Sequence, residues 1–342
     1  MKLRIEDFDY YLPQELIAQT PAEPRDAARL LVAFRDSRRV EHTIFREIGR
    51  YLEAGDLLVV NETRVIPARL FAKKAISGGK VEVLLLKKID DLKWHAIVGG
   101  KRVREGTELI IGDHLRAWVT ESMEGAERLI QFEQPIEPHL SKFGQTPLPP
   151  YIHRWSENVA ERYQTVFAKV DGSAAAPTAG LHFTAQLMDE LQKKGVRFAR
   201  LVLHIGLDTF APVTEEDPTQ HRMHTEWCQV SEETVRLVKE TRQLGKRVIA
   251  VGTTSVRALE TAATYSPPGD LLPYTGSTDL YILPGYPFKV VQGLITNFHL
   301  PRSTLLMLVS AFAEREWVLS LYQQAIELRY RFYSFGDAML IL

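Results

Sequence analysis

Between residues 65 and 132 the chain consists of short segments in which apolar and polar residues alternate. In the segment 92–98 every second residue is Leu, Trp, Ala or Val, which is the two-residue period of a strand with one buried face. Turn-forming Gly, Ser and Asp residues separate such segments, which are 68–75, 80–86, 92–98, 107–111, 115–120 and 128–132. Six strands of this kind predict a small antiparallel barrel or sandwich.

Strand-like and helix-like segments alternate in the rest of the chain. Thr184 and Ser231 stand where a hydroxyl can cap a helix, and Gly195 and Gly245 stand where those helices end. The expected strands are 29–34, 38–43, 56–61, 196–203 and 247–251; the expected helices are 45–52, 184–194, 231–245, one from about 253, 303–313 and 318–328. This alternation is typical of an α/β domain.

A proline-rich segment at residues 146–151 separates the two kinds of sequence and indicates a boundary. The predicted fold class is therefore α/β plus β: a mixed-sheet α/β domain with a smaller antiparallel β-barrel domain inserted. We expect residues 1–64 and 146–342 to form the discontinuous α/β domain and residues 65–145 to form the barrel. A chain of 342 residues is long enough for both.

Composition excludes several classes of protein. Cys228 is the only cysteine, so a disulfide framework and a paired CxxC zinc site are excluded, and its alternating surroundings favour a half-buried strand thiol. The N-terminus lacks the apolar core of a signal peptide, and the longest strongly apolar run, residues 303–313, is too short to cross a bilayer. We therefore expect a cytoplasmic protein without a membrane partner.

Charge is unevenly distributed along the chain. The formal net charge is −1, so a nucleic-acid partner would have to bind a local patch. Between residues 62 and 104, eleven Lys or Arg stand against four Asp or Glu, a composition that suits a phosphate backbone but also a solvated strand face. The candidate contacts in this segment are Arg64, Arg69, Lys101, Arg102 and Arg104.

Basic and aromatic residues also alternate at the C-terminus, over residues 329–337. Guanidinium groups pair with phosphate and aromatic faces stack on unpaired bases, so Arg329 and Arg331 join the candidate contacts. The composition alone favours a plainer interpretation, in which the aromatic side chains face the core and the arginines face solvent.

Four polar, small-residue stretches interrupt predicted strand and helix ends. Ligands of α/β sheets bind at such ends, and the N–H groups of a helix start bind anions. The stretches are 172–184, with Ser173, Thr178 and His182; 203–210, with His204, Gly206 and Thr209; 251–255, with Thr253, Thr254 and Ser255; and 294–304, with Asn297 and His299. We expect them to converge on one pocket, although tight loops, core histidines and N-caps would look similar.

Common cofactor motifs are absent from the sequence. There is no GxGxxG loop after a strand, no GxxxxGK[ST] loop and no HExxH. His221 and His224, a pair of loop histidines three residues apart, are weak evidence for a metal. No metal site is predicted.

These segments, in this order, resemble the signature blocks of the S-adenosylmethionine:tRNA ribosyltransferase-isomerase family of queuosine biosynthesis. The resemblance runs from about residue 9 to the C-terminus. Its blocks include GDLLVVNETRVIPARL (55–70), ERYQTVFAKVDGSAAAPTAGLHFT (161–184), LHIGLDTFAPV (203–213), VIAVGTTSVRALE (248–260), GLITNFHLPRSTLLMLVSAF (293–312) and YRFYSFGDAMLI (330–341). The departures are Glu62, Asp208, Ala211 and Gln292, where the family pattern has Asp, Gly, Arg and Asp.

The resemblance implies an α/β domain with a β-barrel domain and an unusual use of S-adenosylmethionine. The family transfers and isomerises its ribosyl group onto 7-aminomethyl-7-deazaguanine at the tRNA wobble position, giving epoxyqueuosine-tRNA, adenine and methionine. The implied partners are S-adenosylmethionine and the anticodon region of tRNA. No cofactor is implied beyond S-adenosylmethionine as co-substrate, and we expect a monomer.

This chemistry requires a base beside the sulfonium carbon, a hydrogen-bond donor for the departing adenine and a neutral attacking amine. His182 and His204 are the candidates for proton transfer, with Asp337 as an alternative. The candidates for substrate binding are Ser173, Thr178, Gly206, Thr209, Thr253, Thr254, Ser255, Asn297 and His299. Two alternative functions are a conventional methyltransferase, which the missing glycine loop disfavours, and a non-catalytic RNA-binding module, which the basic segment supports.

Overall fold

The computed structural model describes residues 3–123, 125–153, 156–206 and 213–342. The chain divides into two compact units. The α/β unit contains Met1–Arg64, Pro150–Val170 and Ala176–Leu342, and the barrel unit contains Val65–Pro149 and Asp171–Ala175. That the units behave as separate domains stays a prediction.

The regular elements of the described residues are numbered along the chain. The strands are β1 Arg29–Ala33, β2 Val40–Ile44, β3 Leu57–Asn61, β4 Thr63–Val65, β5 Arg69–Lys74, β6 Lys80–Lys88, β7 Lys93–Gly99, β8 Glu108–Ile111, β9 Leu115–Ser122, β10 Glu127–Phe132, β11 Gly144–Gln145, β12 Val170–Ser173, β13 Arg197–Leu203, β14 Glu226–Val230, β15 Val248–Val251, β16 Tyr274–Thr278, β17 Gly293–Asn297 and β18 Ala338–Ile341. The α-helices are α1 Glu137–Phe143, α2 Glu157–Glu161, α3 Ala185–Lys193, α4 Glu232–Gln243, α5 Thr253–Thr264, α6 Thr304–Ala313 and α7 Arg315–Glu327. Short 3₁₀ helices are Ile5–Phe8, Gln14–Leu16, Arg25–Ala27, Phe45–Tyr51, Thr178–His182 and Pro218–Gln220.

A nine-stranded mixed sheet forms the centre of the α/β unit, in the order β16-β14-β13-β3-β15-β17-β18-β1-β2. Its middle strands β13, β3, β15 and β17 are parallel. Their side chains are almost all apolar, as in the buried LLVVN of β3 and VIAV of β15, because helices cover both faces of a parallel sheet. Antiparallel strands flank this group on both sides.

The barrel unit is a closed antiparallel barrel of six strands, in the order β5-β6-β7-β10-β9-β8, which the pairing of β8 with β5 closes. Alternate residues of β7, Trp94, Ala96 and Val98, are buried, as the two-residue period predicts. Together with the mixed sheet, this barrel confirms the predicted fold class, an α/β domain with an inserted antiparallel barrel.

Most predicted elements of the α/β unit are present with small shifts at their ends. The hydroxyls of Thr184, Ser231 and Ser303 cap α3, α4 and α6 by accepting hydrogen bonds from N–H groups of the first turn. The expected helix at 45–52 is instead a 3₁₀ helix, whose buried Phe45 and Ile48 are three residues apart and so share one face. The last helix begins at Arg315, three residues earlier than expected.

Two further sequence predictions concern Cys228 and membranes. Cys228 is fully buried on β14, and burial raises the pKa of its thiol to about 11, so the prediction of a strand thiol is confirmed. Within the described ranges, no helix has both the length and the apolar composition needed to span a membrane.

Candidate active site

Four polar or glycine positions follow the carboxyl ends of the parallel strands. Asn61 ends β3, His204 follows β13, Gly252 follows β15 and Asn297 ends β17. Because β13, β3, β15 and β17 are neighbours in this order, these positions lie along one edge of the sheet. Ligands of α/β sheets bind at this edge.

A cleft opens at this edge within the α/β unit. Its first part, here called the threonine end, has an empty volume of about 360 Å³ and is lined by Ala176, Pro177, Thr178, Ala179, Ile205, Gly252, Thr253, Thr254, Thr296, Asn297, His299 and Leu305. An adjoining part of about 340 Å³, here called the tyrosine end, shares Thr178, Asn297, His299 and Leu305 and adds Tyr151, Leu300, Ser303, Tyr333 and Ser334. Residues of all four predicted stretches therefore meet at one cleft.

The threonine end contains the start of α5. Gly252 has a φ of 91°, a backbone conformation that favours glycine, and this lets the chain turn sharply from β15 into the helix. The N-cap residue Gly252 has no side chain that could cap the first turn of α5, and the N–H groups and helix dipole of such a turn favour an anion. Thr253 and Thr254 line the cleft, whereas the Ser255 hydroxyl donates a hydrogen bond back to the Val251 carbonyl at 2.8 Å.

Asn297 is the centre of a buried hydrogen-bond network between the two ends. Its amide nitrogen donates to Nε2 of His182 at 3.1 Å and to the carbonyl of Tyr333 at 3.0 Å. Its amide oxygen accepts from the Thr178 hydroxyl at 3.2 Å. With Asn297 as donor, His182 Nε2 is an acceptor, and the proton of the neutral ring is on Nδ1.

His182 lies behind this network and does not line the cleft. It is 4% exposed, and its ring packs against Phe45 with centroids 5.1 Å apart. Burial lowers the pKa of His182 to about 4, with Asp337 opposing and Arg331 and Arg25 reinforcing this effect. The ring is therefore neutral at physiological pH.

His204 is half-buried and follows β13, at the carboxyl edge of the sheet. Its Nδ1 is 2.9 Å from the Thr63 hydroxyl, and its ring stacks on Trp227 with centroids 5.1 Å apart and an interplanar angle of 21°. A hydroxyl partner and a stacking partner together fix the orientation of the imidazole. His204 itself does not line the cleft, but the next residue, Ile205, does.

His299 lines both ends of the cleft and is held on several sides. Its ring Nε2 is 2.7 Å from the Thr296 hydroxyl. Its backbone N–H donates to the Tyr322 hydroxyl at 3.0 Å, and its backbone carbonyl accepts from the Tyr10 hydroxyl. Burial lowers the pKa of His299 to about 3. A neutral and immobilised ring is suited to shaping the cleft wall.

Asp337 forms a structural cluster with Arg29 next to the tyrosine end. Its carboxylate accepts from the backbone N–H groups of Arg29 at 2.9 Å and of Arg331 at 2.7 Å, and the Arg29 guanidinium binds it at 3.1 and 3.2 Å. Four such bonds to a 2%-exposed carboxylate are the arrangement of a group that fixes a backbone turn.

The chain matches the family model described as "Queuosine biosynthesis protein" over residues 5–341. The chain belongs to this family. It is 53% identical over 344 residues to the S-adenosylmethionine:tRNA ribosyltransferase-isomerase of Symbiobacterium thermophilum and 52% identical over 341 residues to that of Thermotoga petrophila, covering 99% of this chain and 100% of each relative. The crystal structure of S-adenosylmethionine tRNA ribosyltransferase from Thermotoga maritima is similar with a TM-score of 0.58 and 44% identity, over 98% of this chain and 100% of that one. As a member of a family whose curated relatives are transferases, the chain is an enzyme of that class.

The remaining predicted ligand contacts are placed in several ways. The Gly206 N–H donates to the Glu226 carboxylate at 3.0 Å, and that carboxylate is also bound by the buried Arg257 guanidinium. Ser173 is buried in the barrel unit, where its carbonyl accepts from the Ile66 N–H at 2.9 Å. Thr209 lies outside the described residues, as do the departures Asp208 and Ala211. The ligand contacts of Gly206, Ser173 and Thr209 stay predictions.

The two other departures from the family pattern lie within the described residues. The Gln292 amide oxygen accepts from the Val248 N–H at 3.0 Å, at the start of β15 and therefore at the sheet edge opposite the cleft. Glu62 follows β3, and its carboxylate is 3.4 Å from the Arg200 guanidinium.

Sequence reasoning missed several residues of the site. Asn61 was recognised only as part of a buried strand, yet its amide bonds to both the N–H and the carbonyl of Leu203, at 3.1 and 2.9 Å. A polar residue that ends an apolar strand is a signal that could have identified it. Tyr151 and Tyr333 carried no such signal, because a proline-rich boundary and an aromatic segment have ordinary structural interpretations.

The basic candidates differ in their exposure. Lys101, Arg102 and Arg104 are exposed on the turn after β7 of the barrel unit. Arg69 pairs with Glu82 at 3.1 Å. The remaining candidates, Arg64, Arg329 and Arg331, belong to the α/β unit: Arg64 and Arg329 are exposed, and Arg331 is half-buried, donating to the Thr20 carbonyl at 3.2 Å.

The aromatic residues among these C-terminal arginines are buried. Tyr330, Phe332, Tyr333 and Phe335 are each at most 5% exposed. The core-facing interpretation is therefore confirmed for these aromatic residues, of which Tyr333 also lines the tyrosine end of the cleft.

Among the described residues, no group of three or more His, Cys, Asp or Glu side chains could hold a metal ion.

Proposed function

We propose that this enzyme transfers and isomerises the ribosyl group of S-adenosylmethionine onto 7-aminomethyl-7-deazaguanine at the wobble position of tRNA. In the overall reaction the aminomethyl nitrogen gains a bond to a ribosyl carbon and loses a proton. The ribosyl carbon beside sulfur loses a second proton to the base, and the electron pair of that C–H bond forms a new bond within the ribosyl group. The ribosyl bonds to adenine and to sulfur break, adenine takes up a proton, and the sulfonium returns to the neutral thioether of methionine. The released products are adenine and methionine, and the tRNA carries epoxyqueuosine.

The observation that carries this proposal is the meeting of Thr178, the α5 start and the Asn297–His299 segment at one cleft, in a chain that belongs to the queuosine family. We assign the uncapped first turn of α5, at Thr253 and Thr254, to the methionine carboxylate, because N–H groups and dipole both favour an anion.

Proton transfer is assigned to His204 in preference to His182. A general base needs a lone pair that can reach the substrate, and the Nε2 lone pair of His182 already accepts from Asn297. The Thr63 hydroxyl and the Trp227 ring orient His204, which directly precedes the cleft-lining residue Ile205. We assign His182 to positioning Asn297, and Asp337 to holding the turn at Tyr333.

We assign tRNA binding to the exposed turn of the barrel that carries Lys101, Arg102 and Arg104, with Arg64, Arg69, Arg329 and Arg331 as further contacts. Exposed Lys and Arg side chains bind phosphates without reading sequence. The anticodon region is the part of tRNA that the reaction requires, because the wobble base lies there.

A product assay tests the reaction. The protein is incubated with S-adenosylmethionine and tRNA carrying 7-aminomethyl-7-deazaguanine, and the small molecules are separated. We expect adenine and methionine in equal amounts, and neither with tRNA that has guanine at the wobble position. Formation of S-adenosylhomocysteine would assign a conventional methyltransferase instead. Binding of both substrates without any product would assign a non-catalytic module.

A further inference from the structure

We propose that Tyr333 is a purine-binding residue: its hydroxyl donates a hydrogen bond to a ring nitrogen of the adenine of S-adenosylmethionine, beside the ring of Tyr151. This inference rests on the proposed function and specifies where each end of the co-substrate binds. The adenine occupies the tyrosine end of the cleft, and the methionine carboxylate occupies the threonine end.

The first observation is the hydroxyl of Tyr333 itself. Tyr333 lines the tyrosine end and is 5% exposed, and its hydroxyl has no hydrogen-bond partner among the described residues. Buried hydroxyls are normally hydrogen-bonded, so an exception requires an explanation. Burial raises the pKa of Tyr333, so the hydroxyl keeps its proton and remains a donor.

The second observation is the backbone that carries this hydroxyl. Tyr333 has a φ of 71°, a region that is rare for a bulky residue and marks a turn or strain. Strained residues persist where the surrounding structure holds them, and they cluster at ligand sites. The conformation of Tyr333 is therefore of the kind that folds hold in place at ligand sites.

Tyr333 lies in a turn between Arg331 and Asp337, and the neighbouring backbone holds this turn in place. A Cβ added at Gly336 would lie 2.5 Å from the Arg331 carbonyl oxygen, so the turn closes tightly against its own backbone. Asp337 joins the two sides of the turn, since its N–H donates to the Arg331 carbonyl at 2.8 Å and its carboxylate accepts from the Arg331 N–H at 2.7 Å. The position of the Tyr333 ring is thus set by the fold.

The third observation is the chemistry of the tyrosine end of the cleft. The Tyr333 and Tyr151 rings stack with centroids 4.5 Å apart and an interplanar angle of 20°, and the Tyr151 hydroxyl is held by the Ser334 hydroxyl at 2.5 Å. Aromatic rings with apolar neighbours such as Leu300 and Leu305 suit a flat heterocycle. The unsubstituted ring nitrogens of adenine accept hydrogen bonds, and the hydroxyl of Tyr333 can donate one to them.

Among the described residues that line it, the opposite, threonine end has no tyrosine. It has the N–H groups of the α5 start and the hydroxyls of Thr253 and Thr254, which suit a carboxylate. Thr178, Asn297 and His299 line both ends, and a molecule with a purine at one end and an amino acid at the other would extend along these three residues.

The test compares Tyr333→Phe with the wild-type protein by isothermal titration, using adenosine, L-methionine and S-adenosylhomocysteine as probes. The exchange removes only the hydroxyl, which has no protein partner among the described residues, so the melting temperature should not fall. We expect the affinity for adenosine and for S-adenosylhomocysteine to fall about two- to ten-fold, the loss of one neutral hydrogen bond. Affinity for methionine should not change.

The matched control is Tyr265→Phe. Tyr265 is 67% exposed at the C-terminal end of α5, the end away from the cleft, so its exchange should leave the affinity for all three probes unchanged. A Tyr151→Leu variant serves as a second measurement, since it removes the stacking ring and should weaken adenosine binding without affecting methionine.

The outcomes separate this inference from the proposed function. If the wild-type protein binds S-adenosylhomocysteine and releases adenine in turnover, but Tyr333→Phe binds adenosine with unchanged affinity, only the assignment of Tyr333 is wrong. A Tyr333→Phe variant that loses affinity for methionine or for tRNA, and not for adenosine, also overturns the assignment. A wild-type protein that binds no adenosyl compound overturns both.

Discussion

Replacement of Asn297 by Asp tests the network that joins His182 to the cleft. The amide nitrogen of Asn297 donates to two acceptors, His182 Nε2 at 3.1 Å and the Tyr333 carbonyl at 3.0 Å. The exchange keeps the size of the side chain and turns this donor into an acceptor. At pH 8 two hydrogen bonds worth about 1 kcal/mol each are lost, and buried acceptors left facing each other add at least about 1 kcal/mol. We expect the free energy of unfolding to fall by about 3 kcal/mol.

This loss should shrink as the pH falls. A carboxylate next to His182 makes the pKa of that histidine higher, by about 1–3, than the value of about 4 that burial sets in the wild-type protein. The folded variant then binds a proton near pH 5 that the folded wild-type protein does not bind, so its stability relative to wild type improves in acid. A tenfold change in proton affinity corresponds to about 1.4 kcal/mol once the group is fully protonated. Because protonation is only partial at pH 5 for the smaller shifts, we expect a recovery of about 0.4–2.7 kcal/mol between pH 8 and pH 5.

Urea unfolding at both pH values measures these differences, with Asn297→Ala as the matched control. The alanine variant loses the same hydrogen bonds without gaining a charge, so its deficit relative to wild type should be equal at pH 5 and pH 8. The reasoning fails if Asn297→Asp is as stable as wild type at pH 8, or if its deficit does not change with pH.

Three further predictions concern other parts of the account. His204→Asn should lower kcat by roughly a hundred- to ten-thousand-fold with tRNA affinity unchanged, and a variant of nearly normal rate would exclude His204 as the base. Tyr322→Phe removes the acceptor of the His299 N–H and should lower the free energy of unfolding by about 1–3 kcal/mol; an unchanged melting temperature would contradict this. Replacing Lys101, Arg102 and Arg104 by Ala should weaken tRNA binding and flatten its dependence on salt concentration, whereas an unchanged slope would mean that these side chains face solvent only.

Patterns that involve neighbouring residues predicted much of the fold. Alternation identified the barrel strands, and the hydroxyls of Thr184 and Ser231 marked helix starts correctly, because capping and strand burial are local effects. The family blocks identified the stretches that form the cleft.

Contacts between distant residues could not be predicted from the same patterns. The aromatic character of Tyr333 indicated a core residue, and it is buried, but its φ of 71° and its hydroxyl, unpaired among the described residues, depend on how the whole C-terminal turn packs. His182 resembled a ligand-facing histidine, and only the folded chain places Asn297 in front of its Nε2. Local sequence carries no information on which partner a buried polar atom will meet.

The fate of the ribosyl carbons tests the central claim most directly. The protein is incubated with tRNA carrying 7-aminomethyl-7-deazaguanine and S-adenosylmethionine labelled with ¹³C in the ribose, and the digested nucleosides are examined by mass spectrometry. The account predicts that the modified nucleoside retains all five ribose carbons of the label and that the adenine is released without label. A nucleoside that gains only the methyl carbon, or none, would contradict it.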